Sequence, residues 1–124
     1  MKENEIATKI VEKANIIHEI LGPGLFASAY ENAMCIELKK EGLSFEQQKS
    51  ILLVYKDLKE DIGLKADIIV ADKVIVQIKS VETIEPVHHK EMYTYLKFAN
   101  KQVGLLINFN VCKLEDGITR FENN

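Results

Sequence analysis

Apolar and polar positions follow two different periods along this chain. Near the N-terminus Ile6, Ile10, Ala14, Ile17 and Leu21 recur every three or four residues, which predicts an amphipathic helix over residues 3–20. Leu21-Gly22-Pro23-Gly24 is the stop signal, since glycine and proline end a helix. A second helix is predicted over residues 27–41, with Met34 and Leu38 in the core and Gly42 closing it. The pattern then shortens. Residues 44–55, SFEQQKSILLVY, read as the first strand, and Lys56–Asp61 as a solvated charged turn. Two runs rich in Val and Ile, Ala66–Val70 and Val74–Val81, flank Ala71-Asp72-Lys73 and predict a hairpin over residues 62–81. Pro86 suits the first turn of a third helix running to Asn100, with Met92, Leu96 and Ala99 as its core stripe. Val103–Phe109 is apolar without interruption, as expected of a strand buried on both faces, and Ile118–Phe121 reads as a short edge strand. The order α-α-β-β-β-α-β implies an α/β sandwich around a mixed sheet of four or five strands.

Polar residues inside the hairpin are the first sign of chemistry. With a turn at 71–73, Val70 pairs with Val74 and Asp67 falls opposite Gln77. Opposed side chains lie about 5 Å apart at Cβ. Lys79 shares a face with Gln77, two residues away, while Val74, Val76 and Ile78 face the core. A carboxylate, an amide and an ammonium therefore converge on an apolar sheet, where a charge is costly unless it is paired or holds a metal. One reading is a plain Asp67–Lys79 ion pair. The other is a hydrolytic metal site: Asp67 and the facing side-chain oxygen hold a hard cation, and Lys79 serves the attacking water and the transition-state charge.

Spacing across the hairpin, Asp67-x9-Gln77-x-Lys79, resembles the PD-(D/E)XK nuclease superfamily. Residues 21–34, LGPGLFASAYENAM, resemble the signature LGxGLxExxYxxxL of its GxxExxY branch, with Gly22, Gly24, Leu25 and Tyr30 matching. The likeness continues through Ala66-Asp67, Gln77-Ile78-Lys79, Pro86-Val87-His88 and Gly104–Phe109. It implies a restriction-endonuclease-like fold, Mg²⁺ or Mn²⁺ as cofactor, and nucleic acid as partner, DNA before RNA. It implies catalytic roles for Asp67, Gln77, Lys79, Glu91 and Tyr95, with Asp67, Gln77 and Glu91 setting the metal and His18, Glu31 and His88 as accessory residues.

Three positions depart from that pattern. The signature glutamate is Ala27, the hairpin glutamate is Gln77, and the third-helix glutamine is Glu91. Gln77 and Glu91 look like an exchange that keeps the charge of the pair. Glu31, one turn after Ala27, has two readings, as the end of a Ser28-x-x-Glu31 capping box or as a carboxylate reaching the site. His18, beside the apolar stripe, reads as a packed, hydrogen-bonded residue before it reads as a ligand. His88, Glu91 and Tyr95 share one helix face.

Composition narrows the class. A chain of 124 residues suits one domain spanning residues 1–124, able to bury about two thirds of its unfolded surface. It has no apolar run near the ~18 residues of a membrane span, and MKENEIATK is too charged for a signal peptide. Cys35 and Cys112 do not make a disulfide framework or a zinc site. A cytoplasmic location is expected. The net charge of −3, with Arg120 the only arginine, leaves phosphate contact to Lys49, Lys56, Lys59, Lys65, Lys79 and Lys90. No Walker loop, dinucleotide glycine pattern or Ser-His-Asp signature is present. Two readings of different class follow: a metal-dependent phosphodiesterase, and a catalytically silent module of the same fold that binds nucleic acid or protein. A homodimer is left open.

Overall fold

The computed structural model describes residues 1–123. Helix α1, Glu3–Leu21, buries Ile6, Ile10, Ala14 and Ile17 along one stripe. The stripe stops there: Leu21, expected to continue it, is exposed, as is Ile20. Gly22 then donates its N–H to the His18 carbonyl at 2.8 Å with φ 68°, a left-handed value that glycine adopts without strain. Helix α2, Ala27–Lys40, buries Tyr30, Met34, Cys35 and Leu38. Its first residue follows Phe26, whose side chain makes no cap, so the Ser28–Glu31 capping box is not formed.

Seven strands follow: β1 Phe45–Ser50, β2 Leu53–Tyr55, β3 Leu58–Glu60, β4 Lys65–Val70, β5 Val74–Lys79, β6 Val103–Asn108 and β7 Ile118–Glu122, with helix α3, Pro86–Ala99, between β5 and β6. The expected first strand is divided. Ile51 turns into the core and donates its N–H to the Leu64 carbonyl at 2.8 Å, which ends β1. Residues 53–60 make a separate two-stranded hairpin, so Lys56–Asp61 is partly strand rather than only a turn.

The remaining strands form one mixed sheet in the order β1-β4-β5-β6-β7, as the α/β sandwich requires. Only β5 and β6 are parallel, across the α3 crossover. Helices α1 and α2 cover one face, packing on Ile68, Val70, Val74, Val76, Ile78, Leu105 and Ile107. Helix α3 covers the other with Met92, Tyr95 and Leu96 on Ile69, Ile75 and Leu106. Each such buried aliphatic side chain contributes roughly 1.5–3 kcal/mol relative to exposure. Gly104 lets α3 settle closely, since a Cβ there would lie 2.5 Å from Met92 Sδ.

One buried amide fixes the end of β5. Asn108, 3% exposed, stands beside Lys79 in the parallel register. Its Oδ1 accepts the Val81 N–H at 3.1 Å and its Nδ2 donates to the Val81 carbonyl at 2.9 Å. Asn108→Ala leaves three backbone groups, the Val81 N–H and carbonyl and the Asn110 N–H, without that partner and is expected to lower stability by about 2–3 kcal/mol. Chemical denaturation measures this; a loss under about 0.5 kcal/mol would show that water replaces the amide.

Candidate active site

Val70 pairs with Val74, Ile69 with Ile75 and Ile68 with Val76. The next rung in this register is Asp67 opposite Gln77, and there side chains take over from the backbone. Gln77 Oε1 accepts the Asp67 N–H at 2.6 Å, and Asp67 Oδ2 accepts the Ile78 N–H at 2.8 Å. Each side chain fills the gap between the strands, so β4 parts from β5 without stranding a donor.

On its other edge the pairing of β4 with β1 skips one rung at the same point. Gln47 pairs with Ile68 and Lys49 with Ala66. Gln48, between them and facing Asp67, sits at φ 52°. A left-handed glutamine is uncommon and costs about 1–2 kcal/mol, so the surroundings must hold it. They do so through its amide: Nε2 lies 3.0 Å from both Glu31 carboxylate oxygens and 3.3 Å from Asp67 Oδ1. Gln47 Nε2 donates to Glu31 Oε2 at 2.7 Å. Glu31 is thus drawn from α2 toward Asp67, and the two carboxylates meet on one neutral amide.

Neither carboxylate forms an ion pair among the described residues, and Lys79 acts on Asp67 only through a longer-range attraction. Among the described residues, the ion pairs are Lys9 and Lys13 with Glu41, Lys49 with Glu46, Lys101 with Asp72, and Arg120 with Glu122. The expected Asp67–Lys79 ion pair is not formed, because Asp67 spends its oxygens on the Ile78 N–H and the Gln48 amide. Burial pushes the Asp67 carboxyl above the usual range; the Ile78 N–H opposes this, Glu31 adds to it, and Gln48 and then Lys79 pull it back. Lys79 is half-buried on the same face.

Helix α3 supplies the other wall. Tyr95 is buried, and its phenol is held above the ordinary value by burial, then by the negative charges of Glu91 and Asp67. Glu91 is half-buried, and among the described residues no hydrogen bond joins it to Gln77, whose oxygen already serves Asp67. His88 Nδ1 accepts the Glu85 N–H at 2.9 Å and closes the start of α3. His18 Nε2 lies 2.7 Å from the Val111 carbonyl. Each of the two expected accessory histidines thus has a local hydrogen-bond partner.

The site offers a divalent cation only oxygen donors. Among the described residues no group of three or more His, Cys, Asp and Glu side chains could hold a metal ion; of the expected set Asp67, Gln77 and Glu91, the Gln77 side-chain oxygen is engaged by the Asp67 N–H. The Asp67–Glu31 pair does suit Mg²⁺ or Mn²⁺, which bind through one or two carboxylates and complete their shells with water and substrate phosphate. Gln47, Gln48 and Asn108 are functional neighbours that the pattern of residues did not single out. The only signal was the polar Gln47-Gln48 pair inside a strand.

A sheet of this order with helices on both faces, split beside an Asp and a x-Lys strand, is restriction-endonuclease-like. A family model of the PD-(D/E)XK nuclease superfamily matches residues 4–121, and the chain belongs to that superfamily. No curated protein and no solved structure matches it. Among the described residues no helix is long and apolar enough to cross a membrane.

The Asp67 environment sets a pH dependence. Its folded pKa lies above the unfolded value, so the native state binds more protons between the two. Stability therefore falls as pH rises through that window. Asp67→Asn removes the charge and keeps an oxygen for the Ile78 N–H. In chelator near neutral pH it should melt ~2–4 °C above the wild type, with the gap closing in acid once the wild-type carboxyl is protonated. Thermal melts across pH measure this; a variant that melts lower at neutral pH would mean the ionised carboxylate is already satisfied.

Proposed function

We propose that this chain is a metal-dependent phosphodiesterase acting on nucleic acid, DNA before RNA, with Asp67 and Glu31 as the metal-binding carboxylates. The observation that carries this is their convergence on the Gln48 amide with no ion-pairing cation. Two carboxylates that share one amide and have no ion-pair partner among the described residues suit a divalent ion. When bound, such an ion activates water and draws charge from the phosphate.

The chain's own residues do the rest. Gln48 orients both carboxylates. Lys79, free of an ion pair among the described residues, is placed to donate to a phosphate oxygen and stabilise developing charge. Tyr95 stays protonated and keeps a donor beside Asp67. Glu31 stands in for the signature carboxylate absent at Ala27, one helical turn earlier. The glycine–tyrosine motif around Gly22, Gly24 and Tyr30 supports placing the chain in the GxxExxY branch. One observation favours the silent binding module: Gln77 turns its oxygen to the Asp67 N–H and so withholds a ligand.

Thermal melts in EDTA and in Mn²⁺, beside cleavage assays on DNA and RNA, separate the two. Mn²⁺ should raise the wild-type melting temperature by mass action. Glu31→Gln should weaken that response roughly tenfold in apparent affinity, about 1.4 kcal/mol. Gln77→Glu restores a carboxylate: it should lower stability in EDTA by repelling Asp67, tighten Mn²⁺ binding and raise cleavage. If Mn²⁺ moves none of the three melts and Gln77→Glu cuts nothing, the binding module is the correct reading.

A further inference from the structure

Phe26 is 86% exposed, the most exposed large apolar side chain among the described residues. Its loop is nevertheless firmly braced. Tyr30, fully buried and stacked on Phe109 at 4.4 Å between ring centroids, donates its hydroxyl to the Gly22 carbonyl at 2.5 Å and accepts the Leu25 N–H at 3.1 Å. Ser80 Oγ donates to the Leu25 carbonyl at 2.5 Å. The Phe26 carbonyl accepts the Ala29 N–H at 3.0 Å and starts α2. The ring is therefore held out in water by a fixed backbone.

Its place in the fold gives that exposure a use. Ser80 follows Lys79, and Glu31 lies on the helix that Phe26 begins. The loop thus bridges the strand carrying Lys79 and the helix carrying Glu31. We propose that Phe26 is a stacking platform for an unpaired base, and that the site takes single-stranded nucleic acid. This deepens the phosphodiesterase reading and rests on it for the neighbouring phosphate position at Lys79. An aromatic face stacks on any unpaired base. An intact duplex offers a free base face only at its two ends. With a net charge of −3 and one arginine, phosphate attraction is weak, so stacking has to supply much of the affinity.

The chain has no tryptophan, which makes Phe26→Trp a clean reporter. In EDTA, its emission should be quenched saturably by an oligothymidylate, and at least ~10-fold less effectively by a blunt duplex of equal length. Phe26→Ala should weaken oligothymidylate binding, read by anisotropy of a labelled strand, by roughly 5- to 150-fold, with no change in melting temperature. The proposal is overturned if wild type binds no single strand, if Phe26→Ala binds as wild type does, or if duplex quenches equally. It is also overturned if protein concentration alone shifts the Trp emission and sedimentation shows a Phe26-dependent dimer, for the ring then serves a second copy of the chain. Quenching without any cleavage would uphold the stacking site and retire the phosphodiesterase reading.

Discussion

One missing rung in the sheet governs the rest of the site. Where Asp67 faces Gln77, two side chains replace the backbone bonds that a regular ladder would make. The exchange keeps every donor satisfied, which buried backbone demands. It also fixes the Asp67 carboxylate where β4 parts from β5 and where its pairing with β1 skips one rung. Gln48 adopts its left-handed backbone on one side of the opening, and Tyr95 closes the α3 side. A regular pair of strands would have no such opening.

The frame around that opening is stiff at the places that aim it. Asn108 ties the chain just beyond Lys79 to β6. Tyr30 and Ser80 tie the glycine loop to α2 and to the end of β5. These are neutral hydrogen bonds, about 1 kcal/mol each in net terms, but they join elements distant in sequence. The consequence is that Lys79, Glu31 and Phe26 hold their relative places with no charge spent on the framework. The salt bridges lie elsewhere, at the surface, where such pairs are worth little.

Much of this was legible before any coordinates. The stripes of α1 and α2, the hairpin register, the crossover helix and the buried β6 follow from period alone, and the mixed α/β sandwich follows from their order. Asp67 opposite Gln77 was arithmetic on a three-residue turn. What failed did so for physical reasons. The Asp67–Lys79 ion pair assumed that a nearby cation outcompetes a backbone N–H, whereas the Ile78 N–H is closer and already fixed. Gln48 was invisible because its role depends on β1 pairing with β4, a non-local match, and on a backbone angle that glutamine does not advertise. The division after β1 depended on Ile51 finding Leu64. Leu21 continues the helical pattern of α1 and is nevertheless exposed, which periodicity cannot sense.

The site is electrostatic at its centre: Asp67 is a partly buried carboxylate whose charge is raised in cost by burial and by Glu31, and which forms no ion pair among the described residues. Side-chain carboxyl ¹³C shifts followed across pH test it directly, in wild type and in Glu31→Gln, each with and without Mg²⁺. Asp67 is expected to titrate above the usual aspartate range in metal-free wild type, lower in Glu31→Gln, and lower again in wild type once Mg²⁺ is added. An Asp67 that titrates at the ordinary value and responds to neither change would contradict it.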